Sequence, residues 1–91
     1  MVYTYIVECA DGTLYTGWAA NIEKRLATHN AGTGAKYTRN RLPVELVYFE
    51  YQENQSAAQK REASIKKLRR QQKIALITEF SKSELGKIDY G

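Results

Sequence analysis

At 91 residues with 43% hydrophobic side chains, the chain has material for one small domain with a single core and not for two. Its one cysteine, Cys9, excludes an internal disulfide or a zinc site built on cysteine pairs, and its apolar setting reads as a small core residue. The formal net charge is +4, and Lys60, Arg61, Lys66, Lys67, Arg69, Arg70 and Lys73 place seven of the fourteen basic residues in one short segment whose only acid is Glu62. Such a face can meet a polyanion or simply solvate a helix.

Met1 leads directly into a strand-like run without a basic lead or a long apolar stretch. Neither a signal peptide nor a membrane span is expected, and the protein is expected to be cytoplasmic. Val2 to Cys9 and Thr13 to Trp18 are rich in β-branched and aromatic residues around Ala10-Asp11-Gly12, which predicts a hairpin. A two-residue Asp-Gly loop would send Tyr5 and Tyr15 to opposite faces. A three-residue loop, with Gly12 at positive φ, pairs Cys9 with Thr13, Tyr5 with Gly17 and Tyr15 with Val7. This second register is adopted, because it makes the two phenols diagonal neighbours with Cβ atoms on the order of 7 Å apart. Gly17 is then expected to leave open space beside Tyr5 for a substrate phosphate.

Asn21 is a suitable N-cap for a helix running to about Asn30, with Ile22 and Leu26 on its buried side and Gly32 and Gly34 ending it. Arg25 and His29, one turn apart beside that stripe, can face one cleft. Residues 31 to 42 form a basic loop with Lys36, Tyr37, Thr38, Arg39 and Arg41, and Val44 to Tyr51 reads as a third strand. Ser56 and Gln59 have capping-box spacing and open a second helix with an apolar stripe of Ala57, Ala58, Ile65 and Leu68. Glu62 borders the stripe, and Arg61 falls inside it without explanation from the pattern. Ile74, Ile77 and Phe80 suggest a shorter third helix. The domain is expected to span residues 1–80, followed by a mobile C-terminal tail over 81–91.

Hydrolysis of a phosphodiester needs an aligned water, a group to take its proton, positive charge on the nonbridging oxygens and help for the departing oxygen. Arg25 can fork two donors onto a phosphate, and Glu62 can hold a hard divalent cation whose other positions are filled by water. A tyrosine can position the water or act as base, given activation by a cation or by His29. The bland readings differ in strength. Glu62 alone would be an i,i+4 partner for Lys66, and His29 alone a cation at a helix end.

Tyr3-Thr4-Tyr5, then Tyr15-Thr16-Gly17, Arg25 with His29 four residues on, and Glu62 in a later helix together resemble the GIY-YIG nuclease superfamily. The hairpin from Glu8 to Gly17 is similar to a group of small bacterial proteins made of little beyond this domain, the UPF0213-like group. The stretch His29-Asn30-Ala31-Gly32-Thr33-Gly34-Ala35-Lys36-Tyr37-Thr38 also resembles the catalytic subunit of the eukaryotic endonuclease that cuts branched DNA. The resemblance implies an α+β fold, a three-stranded antiparallel sheet flanked by about three helices. It implies Tyr5, Tyr15, Arg25, His29 and Glu62 as catalytic residues, Gly17 as the structural glycine and Glu62 as ligand to one Mg²⁺ or Mn²⁺. Either tyrosine can be the general base. DNA is the implied partner, with an accessory protein allowed, and Lys36, Tyr37, Arg39, Arg41, Lys66, Arg69 and Arg70 are the expected nucleic-acid contacts. The chain departs from the family pattern in lacking the first motif's glycine and isoleucine, and in placing Trp18 after Gly17.

Overall fold

The computed structural model describes residues 2–83. β1 (Val2–Cys9) and β2 (Leu14–Ala19) form the hairpin in the three-residue-loop register. The Cys9 amide donates to the Thr13 carbonyl at 2.8 Å, the Gly12 amide donates to the Cys9 carbonyl at 2.9 Å, and Gly12 adopts φ 83°. The Asp11 carboxylate accepts from the Thr13 hydroxyl and amide, which closes the turn and holds its pKa below the ordinary value. Tyr5 therefore opposes Gly17, and Tyr15 opposes Val7.

β3 (Val44–Gln52) pairs antiparallel with the other side of β1, giving the order β2-β1-β3. Its register shifts between Ile6, which opposes Tyr48, and Val7, which opposes Leu46. The extra residue Val47 is a bulge that returns Leu46 and Val44 to the face carrying Phe49. That face packs Tyr5, Val7, Cys9, Ala19, Val44 and Phe49 against Ile22 of α1 (Ile22–Asn30). Asn21 caps α1 as expected, its side-chain oxygen accepting from the Lys24 amide at 2.9 Å.

The opposite face packs Ile6 and Tyr48 against Ile65 of α2 (Gln55–Lys66) and against Leu76, Ile77 and Phe80 of α3 (Arg70–Lys82). Ala58 lies flush on the sheet, and the Thr4 hydroxyl donates to its carbonyl at 3.0 Å. Three expectations need correction. The cap of α2 is Asn54 and not Ser56, because the Asn54 side chain reaches the Ala57 amide at 2.9 Å and starts the helix earlier. With 13 residues against 12, α3 is not the shorter helix, and it packs a half-buried Leu76 on the core while leaving Ile74 42% exposed. Leu68 lies beyond the end of α2.

Arg61 also finds its reason. Its guanidinium forks onto the Glu50 carboxylate of β3 with contacts of 2.9 and 3.0 Å, while Glu50 accepts from the Tyr48 hydroxyl and from Gln52. The stripe position is thus filled by a side chain whose charge is answered by the strand below. α3 extends to Lys82, and of the expected tail, residues 84–91 lie outside the described residues.

Candidate active site

The hairpin and α1 bring three aromatic side chains together. The Tyr5 hydroxyl lies 3.0 Å from His29 Nε2, and the Tyr15 ring packs edge-on to the imidazole with centroids 5.6 Å apart. His29 is 1% exposed, and its other nitrogen, Nδ1, lies 2.8 Å from the Thr38 hydroxyl oxygen. Assigning the Thr38 hydroxyl proton to the Ala35 carbonyl gives this chain a direction. Thr38 donates its single hydroxyl proton to the Ala35 carbonyl at 3.0 Å, so toward His29 it accepts, and Nδ1 carries the imidazole proton. Nε2 is then unprotonated and accepts from Tyr5.

The electrostatics agree with that assignment. Burial, and then the nearby Arg25 guanidinium, hold His29 below its ordinary value, which keeps it neutral near pH 7. Burial, assisted by Tyr15, pushes the Tyr5 phenol up to about 12, so it retains a proton to donate. Arg25 pulls that phenol down and Glu62 pushes it up. Tyr5 thus lies within the fields of Tyr15, Arg25 and Glu62 and is bonded to His29.

Two glycines make this packing feasible. A Cβ on Gly17 would fall 2.7 Å from the Tyr5 hydroxyl oxygen and 3.2 Å from Tyr15 Cε2. The space expected beside Tyr5 for a phosphate is therefore occupied by the phenol itself, because the ring lies across the neighbouring strand where a side chain is missing. Gly34 does the same for His29, where a Cβ would fall 2.6 Å from Nδ1 and 2.9 Å from Cα. The sequence pattern credits Gly34 only with ending α1. It also assigns no role to Thr38, whose signal was available as the one threonine amid the basic part of the loop, and passes over Asn30, whose side chain grips the Val44 backbone through both amide and carbonyl.

Glu62 is mostly buried and pairs with Lys66 at 2.7 Å, so the i,i+4 partnership exists beside its approach to Tyr5. The Lys66 ammonium also lies 5.8 Å from the Tyr15 ring centroid. Among the described residues, no three His, Cys, Asp or Glu side chains gather as a metal cage. One carboxylate fits an ion such as Mg²⁺, which retains waters and shares substrate phosphates, and does not fit a nitrogen- or sulfur-ligated metal.

The expected nucleic-acid contacts divide into two sets. Arg41 pairs with Asp11 at 3.1 Å, donates to the Tyr37 carbonyl and lies 4.1 Å over the Tyr37 ring, which in turn stacks on Tyr15 with centroids 6.0 Å apart. Arg70 donates to the Gly12 carbonyl at 3.0 Å, tying α3 to the hairpin turn. These cations hold the structure together. Lys36, Arg39 and Arg69 are exposed and have no ion pair among the described residues.

Residues 1–75 match the GIY-YIG catalytic domain. The chain belongs to the GIY-YIG family. That family is a nuclease family whose members act on DNA and use a divalent metal. A UPF0213 protein of Clostridium perfringens is 58% identical over 84 residues, covering 92% of this chain and 90% of its own. One from Streptococcus pyogenes serotype M5 is 54% identical over 83 residues, 90% of each. The solution NMR structure of a protein from E. faecalis is similar at a TM-score of 0.59 and 43% identity, covering 90% of this chain and 88% of that one. That of a UPF0213 protein from Bacillus halodurans gives 0.55 and 39%, with coverage of 86% and 84%. No helix among the described residues is long and apolar enough to cross a membrane.

Proposed function

We propose that this GIY-YIG protein is a metal-dependent endonuclease that hydrolyses DNA phosphodiester bonds, in branched, single-stranded or damaged DNA. The observation that carries the reading is the directed chain from Tyr5 through His29 to Thr38. A water placed against the Tyr5 oxygen loses a proton to it as Tyr5 passes its own proton to His29 Nε2. The resulting imidazolium is held by Tyr5 on one side and Thr38 on the other. The water oxygen bonds to phosphorus as the opposite P–O bond breaks. Coupling the two transfers avoids a free phenolate, which burial makes costly. Tyr5 is thereby preferred to Tyr15 as the base.

Arg25, exposed at the edge of the site, neutralises the nonbridging oxygens. Glu62 would hold the divalent cation, which supplies further charge stabilisation at the phosphate when bound. A cleavage assay with Mg²⁺ or Mn²⁺ over duplex, single-stranded, flap and junction DNA tests the reading. Tyr5→Phe is expected to lower the rate by about 10²- to 10⁴-fold, the usual contribution of a positioned general base. Full activity in Glu62→Gln or Arg25→Ala removes the mechanism.

A second reading is supported by the Glu62–Lys66 pair, which occupies the metal carboxylate with a cation of the chain's own. In it, the protein binds nucleic acid with little or no turnover. Salt-sensitive binding without cleavage across the same panel would favour it.

A further inference from the structure

An open groove of about 670 Å³ adjoins the site between β2, α1 and residues 33–35. Tyr15 and Arg25 line it together with Lys24, Thr28, Thr33 and Gly34, and no acidic side chain does. The groove is therefore continuous with the site through two shared side chains. Lys24 belongs to neither the expected catalytic set nor the expected DNA contacts.

The groove's two cations belong to the unanswered part of the basic surface, as do Lys36, Arg39 and Arg69, and these two lie together on one concave wall. Arg41, Arg61 and Lys66 are paired with carboxylates, and Arg70 is bound to a backbone carbonyl. Lys24 and Arg25, both exposed, have no ion-pair partner among the described residues. The Thr28 and Thr33 hydroxyls donate to the carbonyls of Lys24 and Thr28, so they close the wall. The amides of Gly34 and Ala35 have no acceptor among the described residues. Two cations on one wall with no carboxylate facing them suit an anion.

We propose that this groove binds the phosphodiester next to the scissile one in a single strand of DNA, with Lys24 as its cation. The proposal rests on the nuclease reading, in which Arg25 holds the scissile phosphate. A space of this size accommodates a small ligand such as one phosphodiester unit. Positively charged grooves that track one strand are the usual means of holding single-stranded DNA, and Lys24 and Arg25 supply the charge.

The test measures binding of a short oligo-dT strand, and of a duplex of equal length, by wild-type protein without divalent cation over a range of salt. Lys24→Ala is expected to reduce the slope of log K against log salt by about 0.7 for the single strand, the loss of one phosphate contact. Lys24→Arg should retain the slope. Lys82→Ala, at the C-terminal end of α3 and outside the basic segment, should retain it as well. An unchanged slope in Lys24→Ala, or a duplex bound equally tightly with the same loss, overturns the proposal. Cleavage by wild-type protein is scored separately with Mg²⁺. A Lys24-dependent slope without cleavage removes the nuclease reading and leaves the groove a binding site, whereas cleavage with a Lys24-independent slope removes the groove alone.

Discussion

Gly17 and Tyr5 touch across two strands so closely that the phenol occupies the place of the missing side chain. Tyr5 is 2% exposed and bonded to His29, so its ring has nowhere to retreat. Gly17→Ala is expected to displace the phenol, cost about 1–3 kcal/mol as an overpacked core does, and lower cleavage further than stability alone explains. Chemical denaturation beside single-turnover cleavage checks both parts. Normal stability and normal cleavage together would show that the ring adapts.

Thr38 acts through His29, so it is a positioning residue. Thr38→Val keeps the shape but removes the acceptor for Nδ1, at a cost of about 1–3 kcal/mol for the buried donor left unpaired. The informative measurement is the pair of imidazole ¹⁵N shifts. In wild-type protein they should report the Nδ1-protonated tautomer, in the valine variant a mixture, and in Thr38→Ser the wild-type form again. Unaltered shifts in Thr38→Val would detach Thr38 from the relay.

The pH dependence has a definite sign. The unfolded chain takes up a proton on His29 as pH falls through about 6.5, while the folded chain resists it because of burial and Arg25. More protons are bound by the unfolded state there, so stability falls with falling pH. This contribution is fully present above pH 6.5 and is lost progressively below it. Thermal melts from pH 7.5 downward should show the decline, and His29→Gln should flatten it. Cleavage should fall over the same range, since a protonated Nε2 cannot accept from Tyr5.

Lys66 competes for Glu62. An i,i+4 pair of this kind contributes about 0.3–0.5 kcal/mol, so Lys66→Ala should lower the Mg²⁺ concentration for half-maximal cleavage by about two-fold. Titration of activity with Mg²⁺ in both proteins decides it. A higher requirement in the variant would mean that Lys66 holds substrate and does not obstruct the metal.

The parts of the fold that follow local rules were legible. Turn parity placed Tyr5 and Tyr15 on one face, and Asn21 announced α1. The start of α2 was missed because Asn54 and Ser56 both make good caps, and only the three-dimensional path of the chain leaving β3 decides between them. Arg61 was opaque because Glu50, its partner, lies on another element. The role of Gly34 depends on the loop folding back over His29, a contact that spacing along the chain does not encode. Charge counts also overstate the surface available to DNA, since they do not reveal that Arg41, Lys66 and Arg70 are already engaged.

Arg61 and Glu62 are neighbours in sequence with opposite allegiances, one forked onto β3 and the other approaching the Tyr5 phenol. The two strands concerned, β3 and β1, are neighbours in the sheet, so α2 works as a beam laid across both. Its roll is fixed at the Glu50 end. A lesion at Glu50, remote from any reacting atom, would therefore be felt as a misaimed carboxylate one residue along the helix.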